Sequence, residues 1–419
     1  MNGLIRTALA AASIFGFALP AAAAPAAPAQ APLTLEQALS LARSDQPRIE
    51  AYEREAQASE QAAVAARSLP DIQVTGGIQN LPITGMNAFR PFEDSMTMYT
   101  IGVMREQVRR SRREAEANRL RAEAVVSRFE GSAEQRKIQR DVMIAWLDAV
   151  EAKAKQRLLG RVIADLKVGR QVMESGIPTG SSTPALELQA QAEIGLAESQ
   201  LAEARGAEER ARAELGRWIG EAADRPLADV LPKLAPPPGA AGPTGTHPEL
   251  LAATAREEAA RRQVEVRRGE RRPNLTWSVM LGIRPNYGEM VTGQISIPLQ
   301  FNRRNLQDRQ IAEAQALADA ARLKTEDIRR DLAREYRTAL ATYASAEAQI
   351  AVLRDHVIPS LEASFKASEA RYASGQGTLE LPLNIVRRYV EANVQLVEQE
   401  GARERAAAEL LYVSQDTMP

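Results

Sequence analysis

Apolar and polar residues follow two different periods along this chain. Most of it carries Ala, Leu, Glu, Arg and Gln at helical spacing, and Leu159, Val162 and Leu166 are separated by 3 and 4 residues, the spacing of a coiled-coil seam. Two short regions, at about 71–104 and 274–300, alternate between apolar and polar residues, as β-strands do. The pattern therefore predicts long packed helices and two β-hairpins.

The same order of elements occurs twice. We predict structural repeat 1 over residues 33–222 and structural repeat 2 over residues 247–413, joined by a Pro/Gly-rich connection at 223–246 and followed by a tail at 414–419. In each repeat a helix of about 22 residues precedes the β-hairpin, and a very long helix and a returning helix of roughly 33 residues follow it. Each long helix measures roughly 100 Å at the usual helical rise. Antiparallel helical hairpins of this length form a rod or a tunnel.

Proline and glycine mark the expected helix ends. Pro47 and Pro248 lie at the start of the first helix of each repeat, where proline costs no hydrogen bond. Gly176 and Gly375 follow the two long helices, which predicts a left-handed glycine cap at each carboxyl end.

The amino-terminal residues predict export from the cytoplasm. Residues 1–23 combine an early Arg6, an apolar run and small residues, the pattern of a signal peptide cleaved after Ala23, and a flexible segment at 24–32 is expected to follow. No later window is long and apolar enough to predict a transmembrane helix. The chain contains no cysteine, which excludes disulfides and a lipid anchor attached through cysteine.

Composition and motifs argue against an enzyme and against a nucleic-acid partner. The net charge is −1, so no global field attracts a polyanion, and 4% aromatic content is low for several globular cores. The sequence has no P-loop, no zinc-protease motif, no cysteine nucleophile and no nucleophile elbow. We therefore predict no catalytic residue, no cofactor and no metal ligand. His247 is interpreted as a helix-terminal residue and His356 as a polar helix-face residue.

Alternation in the strand regions predicts two faces of opposite polarity. About ten residues is the length of a tilted strand that crosses a bilayer, and apolar-out, polar-in alternation is typical of a water-filled barrel. Four strands cannot close a barrel and an open edge is not tolerated in lipid, so other chains must complete it: two chains would supply eight strands and three would supply twelve. The alternative is a small soluble sheet that packs its apolar face on helices. The predicted lipid-facing residues are Leu275, Trp277, Val279, Leu281, Ile295 and Ile297.

Two further clusters in the hairpin regions each have two interpretations. Methionines occur at Met86, Met96, Met98, Met104, Met280 and Met290. Their thioethers could bind Cu(I), or they could be flexible apolar filling. Arginines at 109–113 and at Arg303 and Arg304 could contact phospholipid headgroups or form a solvated surface.

Several motifs together resemble those of the TolC-like outer-membrane efflux family. They are the paired strands that follow a proline, "HPEL" at 247–250, the basic turns "VRRSRRE" and "FNRRN", and the segment 371–392. The last begins "RYASGQGT" and resembles the family's hairpin-tip pattern R-Y-x-x-G-x-x-S/T. The resemblance covers essentially the whole mature chain. Residues 79–104 resemble the heavy-metal branch of the family.

This resemblance implies a fold that is mainly α with a small β part. Long antiparallel coiled-coil hairpins would form a periplasmic tunnel, and four transmembrane strands per chain would complete a twelve-stranded outer-membrane barrel as a homotrimer. The implied partners are the chain itself, a periplasmic adaptor protein, an inner-membrane pump of the resistance-nodulation-division type and outer-membrane lipid. The implied adaptor-docking residues at the hairpin tips are Ser175, Gly176, Ser182, Arg371, Tyr372, Ser374, Gly375 and Thr378.

The sequence departs from the family at the start of the returning helices. Family members often carry an acidic residue there, near the tunnel mouth, whereas this chain has Pro184 and Pro382. Glu187, Glu369 and Glu380 lie close enough in sequence to supply charge at the mouth instead.

Three functions follow from these patterns. The leading hypothesis is a passive exit duct of a tripartite efflux system in the bacterial outer membrane, with heavy-metal cations as the candidate substrates. A second is the exit duct of a protein-secretion system. A third, of another class, is a soluble periplasmic coiled-coil scaffold.

Overall fold

The chain folds into eight α-helices and one four-stranded antiparallel sheet within the residues that the structure describes, so the predicted class, mainly α with a small β part, is confirmed. This computed structural model describes residues 31–44, 46–91, 93–178, 182–234, 245–284, 287–374 and 380–414. The predicted signal peptide therefore lies outside the described residues, as does most of the segment at 24–32. No described helix combines the length and the apolar character needed to cross a membrane.

Each repeat contributes three long helical elements and one β-hairpin. The elements are α1 (Leu35–Arg43), α2 (Pro47–Arg67), β1 (Gln73–Gln79), β2 (Met98–Gln107), α3 (Arg110–Gly176), α4 (Pro184–Ile219), α5 (Pro248–Gly269), β3 (Leu275–Ile283), β4 (Met290–Ser296), α6 (Gln307–Val352), α7 (Ile358–Ala373) and α8 (Glu380–Ser414). A π-helical turn, Leu353–Val357, joins α6 to α7 without a break in the helix. A short 3₁₀ turn, Gly220–Asp224, follows α4.

Helix lengths in the two repeats match closely. Helices α2 and α5 contain 21 and 22 residues, and α4 and α8 contain 36 and 35. The 67 residues of α3 correspond to three consecutive helical segments of 46, 5 and 16 residues in repeat 2. At the usual rise, α3 is about 100 Å long. The helical hairpins predicted from the sequence are therefore present, with the expected dimensions.

The helix ends agree with the sequence patterns at three prolines and disagree at a glycine. Pro47, Pro184 and Pro248 begin α2, α4 and α5. The left-handed cap predicted at Gly176 is wrong: α3 continues right-handed into Ile177 (φ −57°), whose N–H donates to the Glu174 carbonyl at 3.3 Å. This tighter last turn satisfies a terminal carbonyl without a left-handed residue. Gly375 lies outside the described residues.

Helix α1 and the main hydrophobic core were not predicted. Thr34 and Gln37 form a reciprocal capping box that starts α1, a signal present in the sequence. The core gathers α1, the middle of α3 and the carboxyl ends of α4 and α8 around Trp146 and Tyr412. The indole N–H of Trp146 donates to the Leu33 carbonyl at 3.1 Å. This core ties the two helical hairpins together midway along their length.

Candidate functional site

The two β-hairpins join into one sheet because β2 pairs with β3. The strand order is β1-β2-β3-β4, and every neighbouring pair is antiparallel. Across the central pair, Ile101 lies opposite Leu281 and Val103 opposite Val279. Because successive side chains of a strand point to opposite faces, this register keeps the Val, Ile and Leu side chains on one face and most hydroxyl and amide side chains on the other.

The apolar face of the sheet is open. Val74, Val291 and Ile295 expose 73%, 73% and 70% of their surface, and Ile101, Val279 and Leu281 are also exposed. The contacts between described elements pair the strands only with one another, so no helix packs on the sheet. A soluble sheet that covers its apolar face with helices is therefore excluded for this part of the chain. Of the six predicted lipid-facing residues, Val279, Leu281, Ile295 and Ile297 are exposed, and Leu275 and Trp277 are half-buried.

The opposite face of the sheet is polar and concave. A groove of about 550 Å³ runs along it. Its lining includes Thr75, Gln79, Thr100, Thr276, Ser278, Gln294 and Ser296, together with Met104 and Met280. The face carries hydroxyl and amide groups with no charged side chain in the groove, which suits a surface in contact with water.

Both edges of the sheet lack a neighbouring strand. Strands β1 and β4 each pair with one strand only among the described residues, and all seven residues of each are exposed. An unpaired edge presents backbone donors and acceptors to another strand. Both edge strands, β1 and β4, can therefore pair with a further strand.

Arginines fix the sheet to the ends of the helices. Arg105 donates from Nε to the Pro70 carbonyl at 2.9 Å, and Arg109 donates from Nε to the Pro273 carbonyl at 3.2 Å. Arg303 donates to the carbonyl of Arg271, at the equivalent junction of repeat 2. These bonds hold the points where the chain passes from helix to strand.

A buried asparagine completes this junction. Asn274 donates its amide to the Glu106 carboxylate at 2.8 Å, which connects the start of β3 to the end of β2. Arg271 forms an ion pair with Asp308 at 2.6 Å. Arg109 and Arg303 of the two basic clusters therefore form structural bonds, a role that neither sequence interpretation, headgroup contact or a solvated surface, had included.

The predicted docking residues that the structure describes lie at the ends of the helical hairpins remote from the sheet. Ser175 donates to the Val172 carbonyl at 2.8 Å, and Ser374 donates to the Arg371 carbonyl at 2.9 Å. Ser182 is buried, and its backbone N–H donates to the Gly176 carbonyl at 3.3 Å. Gly375 and Thr378 lie outside the described residues, and the structure does not describe the side chain of Tyr372.

Of the three acidic residues predicted at the tunnel mouth, one is described with its side chain. Glu187 lies in the first turn of α4 and forms an ion pair with Arg170 of α3 at 3.0 Å. The pair joins the two helices of the hairpin and partly neutralises Glu187. The structure does not describe the side chains of Glu369 and Glu380. Pro382 lies within α8, two residues after its first residue.

His247 belongs to a buried polar cluster that sequence reasoning did not find. It precedes α5, but its ring forms no cap bond; instead Nε2–H donates to the Tyr412 carbonyl at 3.2 Å. The two rings meet edge to face at 5.3 Å. Burial lowers the pKa of His247, which keeps the ring neutral. The Tyr412 hydroxyl donates to Glu249 at 2.7 Å, and burial raises the pKa of Tyr412.

We predict that Tyr412→Phe destabilises this cluster. The change removes a buried hydrogen bond to a carboxylate, and we expect the free energy of unfolding to fall by about 1.5–3 kcal/mol. Tyr389→Phe is the matched control, because its hydroxyl donates to Glu362 at 3.0 Å on the exposed surface and should contribute less than about 1 kcal/mol. Thermal unfolding followed by circular dichroism compares the two, and an equal shift would contradict the structural role of the cluster.

No metal site of the usual residue types is present in the described part of the chain. Within those residues, no group of three or more His, Asp or Glu side chains is arranged to hold an ion.

The sequence of repeat 2 matches a known family. Residues 245–413 match the family model described as outer membrane efflux protein. No curated protein matches the sequence. The matched region begins just before α5 and ends at the penultimate residue of α8, so it contains a complete helix–hairpin–helix–helix repeat.

Solved structures match nearly the whole chain. The outer membrane protein VceC from Vibrio cholerae aligns with a TM-score of 0.74 at 16% identity, over 90% of this chain and 95% of that one. A membrane protein from Pseudomonas aeruginosa aligns with a TM-score of 0.77 at 17% identity, over 90% and 93%. The Campylobacter jejuni CmeC outer membrane channel aligns with a TM-score of 0.74 at 14% identity, over 90% and 85%. The chain therefore shares their fold.

Proposed function

From the match of residues 245–413 to the outer membrane efflux protein family and the fold shared with solved outer-membrane channels, we propose that this chain belongs to that family, is the exit duct of an efflux system and assembles as a homotrimer. Three sheets would complete a twelve-stranded barrel, and the helical hairpins would form a tunnel in the periplasm. The observation that carries the proposal is the exposed apolar sheet face at the end of helices about 100 Å long. An apolar surface of this extent needs a partner, and a lipid bilayer fits its two-faced alternation.

The two open edges support closure by copies of the same chain. In lipid, every backbone donor and acceptor must find a partner within protein, so β4 of one copy would pair with β1 of the next. The polar groove would then face the lumen, and the apolar face would contact lipid. The lipid-facing residues would be Leu275, Trp277, Val279, Leu281, Ile295 and Ile297. Closure of this kind removes every edge, which a single copy cannot do.

The proposed duct is passive. Nothing in its sequence motifs indicates catalysis, so an inner-membrane pump of the resistance-nodulation-division type would supply the energy through a periplasmic adaptor. Heavy-metal cations are the substrate class that we propose, since residues 79–104 resemble that branch of the family. Uptake of substrate would occur at the periplasmic mouth and release at the barrel.

We propose that the hairpin tips bind the adaptor through Ser175, Gly176, Ser182, Arg371, Tyr372, Ser374, Gly375 and Thr378. Gly375→Pro is expected to reduce efflux at least tenfold while the trimer remains in the outer membrane, because proline restricts the backbone only at the tip. The measurement combines crosslinking to the adaptor with substrate accumulation in cells. Unchanged efflux would reject the docking role.

We propose that three acidic residues at the periplasmic mouth make the channel prefer cations over anions. They are Glu187, Glu369 and Glu380. Glu187→Gln should lower the cation preference of the channel in planar bilayers, with Glu198→Gln as control, since Glu198 pairs with Lys167 farther up the same hairpin. The same cation preference in Glu187→Gln as in the unaltered protein would remove Glu187 from this role.

Fractionation and conductance together test the duct. The mature protein is expected in the outer membrane as a heat-resistant trimer, and the purified trimer is expected to form ion-conducting pores in planar bilayers. Recovery as a soluble monomer from the periplasm would overturn the proposal and favour the scaffold hypothesis.

A further inference from the structure

The four strand methionines all lie on the polar face of the sheet. Met98 and Met104 of β2, Met280 of β3 and Met290 of β4 share the face of Thr100, Ser278 and Gln294, whereas the apolar face of the described strands carries none. Six of the ten methionines of the chain occur in this sheet and in the loop between β1 and β2, which we call the outer loop. Methionine is apolar, so filling or lipid contact would place it on the other face.

The strand register arranges these methionines in a line. Met104 lies opposite Ser278, so Met280 is its diagonal neighbour on β3. Met290 lies opposite Gly282, so it is the diagonal neighbour of Met280 on β4. Diagonal neighbours are about 7–8 Å apart at Cα, within reach of long side chains. Three methionines from three strands thus follow one another along the face.

Met98 continues the line toward the outer loop. Its sulfur lies 2.7 Å from the point that a Cβ on Gly282 would occupy, so the side chain rests on that glycine. Gly282 is also the residue opposite Met290. Met98 and Met290 therefore flank one buried glycine. Beyond them, Met86 and Met96 are exposed in the loop between β1 and β2.

Thioether sulfur is a neutral, soft ligand. It binds Cu(I) and the chemically similar Ag(I), and it has little affinity for hard cations that prefer oxygen. Neutral ligands spaced along a wall bind an ion without holding it in one place, and conduction requires such weak, repeated sites. The hydroxyl and amide groups between the methionines keep the wall wetted.

We infer that Met104, Met280, Met290 and Met98 form a lumenal track of binding sites for soft monovalent cations, Cu(I) and Ag(I). The track runs from the middle of the sheet toward its outer end, the direction of export in the proposed duct. The direction of export along the track and the repetition of the track in three copies rest on the proposed function. The binding sites themselves depend only on the sheet.

Titration of the purified protein with Ag⁺ tests the track. In protein labelled with ¹³C at the methionine methyl groups, the signals of these four residues are expected to shift on addition of Ag⁺ and to remain unchanged with Zn²⁺. The variant M98L/M104L/M280L/M290L is expected to bind Ag⁺ at least about tenfold more weakly, a change of about 1.4 kcal/mol. Leucine preserves volume and apolar character, so the sheet should be retained.

A control variant tests whether Ag⁺ binds specifically to the methionines of the sheet. The control M143L/M173L replaces methionines buried in the helical part and should bind Ag⁺ as the unaltered protein does. Equal Ag⁺ binding by the four-site variant, or unshifted methyl signals in the unaltered protein, would overturn the inference.

Pore conductance separates this inference from the proposed function. A trimer that conducts ions but does not bind Ag⁺ would overturn the proposed methionine sites and leave the proposed duct function standing. A protein that binds Ag⁺ through these methionines but forms no pore would support the sites and overturn the duct.

Discussion

Leu281→Arg is expected to abolish assembly of the proposed heat-resistant trimer in the outer membrane. Leu281 lies on the apolar face of β3, two residues before the end of the strand, between Ile101 and Val291 of the neighbouring strands. Arginine on the lipid face of a barrel costs about 2–4 kcal/mol at the bilayer midplane. The proposed homotrimer would carry the substitution three times, so the cost per assembly would be correspondingly larger.

Gln294→Arg is the matched control for the polar face. Gln294 lies on the adjacent strand and lines the polar groove, where an added guanidinium remains in water. We expect this variant to assemble at close to the level of the unaltered protein. The measurement is the amount of trimer that resists heating in the outer-membrane fraction at matched expression. Equal losses for Leu281→Arg and Gln294→Arg would contradict the assigned inner and outer faces.

Gly102→Ala is expected to separate the two β-hairpins. Gly102 is buried where β2 meets β3, and a Cβ added there would lie 2.8 Å from the Val279 carbonyl oxygen and 3.1 Å from the Met280 Cα. These atoms belong to backbone and cannot rotate away, so the strands must move apart. Overpacking of this kind typically costs about 1–3 kcal/mol, and here it acts on the pairing that joins the two repeats.

Gly293→Ala serves as the control for this prediction. Gly293 lies in β4, and an added Cβ would meet no atom within 4 Å. We expect Gly102→Ala to lower the temperature at which the detergent-solubilised trimer dissociates, and Gly293→Ala to leave it nearly unchanged. If the two alanine variants dissociate at the same temperature, the β2–β3 pairing is not the critical contact.

Much of the fold was predictable because its elements are long and regular. The helical period persists over the 67 residues of α3, and local alternation over 7 to 10 residues identified all four strands. Proline at the first helical position located α2, α4 and α5, since its geometry favours helix starts. The duplication supported the prediction of element types and order, because each repeat contains the same elements as the other.

The missed features depend on partners that are distant in sequence or on a few local bonds. His247 and Tyr412 are in contact although 165 residues separate them in the sequence, and no local sequence pattern predicts that contact. The cap at Gly176 was mispredicted because a tight last turn satisfied the helix end. For the site residues, the sequence identified which side chains share a face, whereas contact with lipid and adaptor remains a prediction.

The sequence by itself determined the element types, their order, their duplication and the two-faced character of the strands, since these depend on local periodicity. Only the tertiary structure decided that β2 pairs with β3, that the apolar face stays uncovered, and that the methionines form one line across three strands. Those features depend on register, and a shift of one residue would exchange the two faces of a strand. Register is set by pairing between residues such as Ile101 and Leu281, which no single segment of the chain contains.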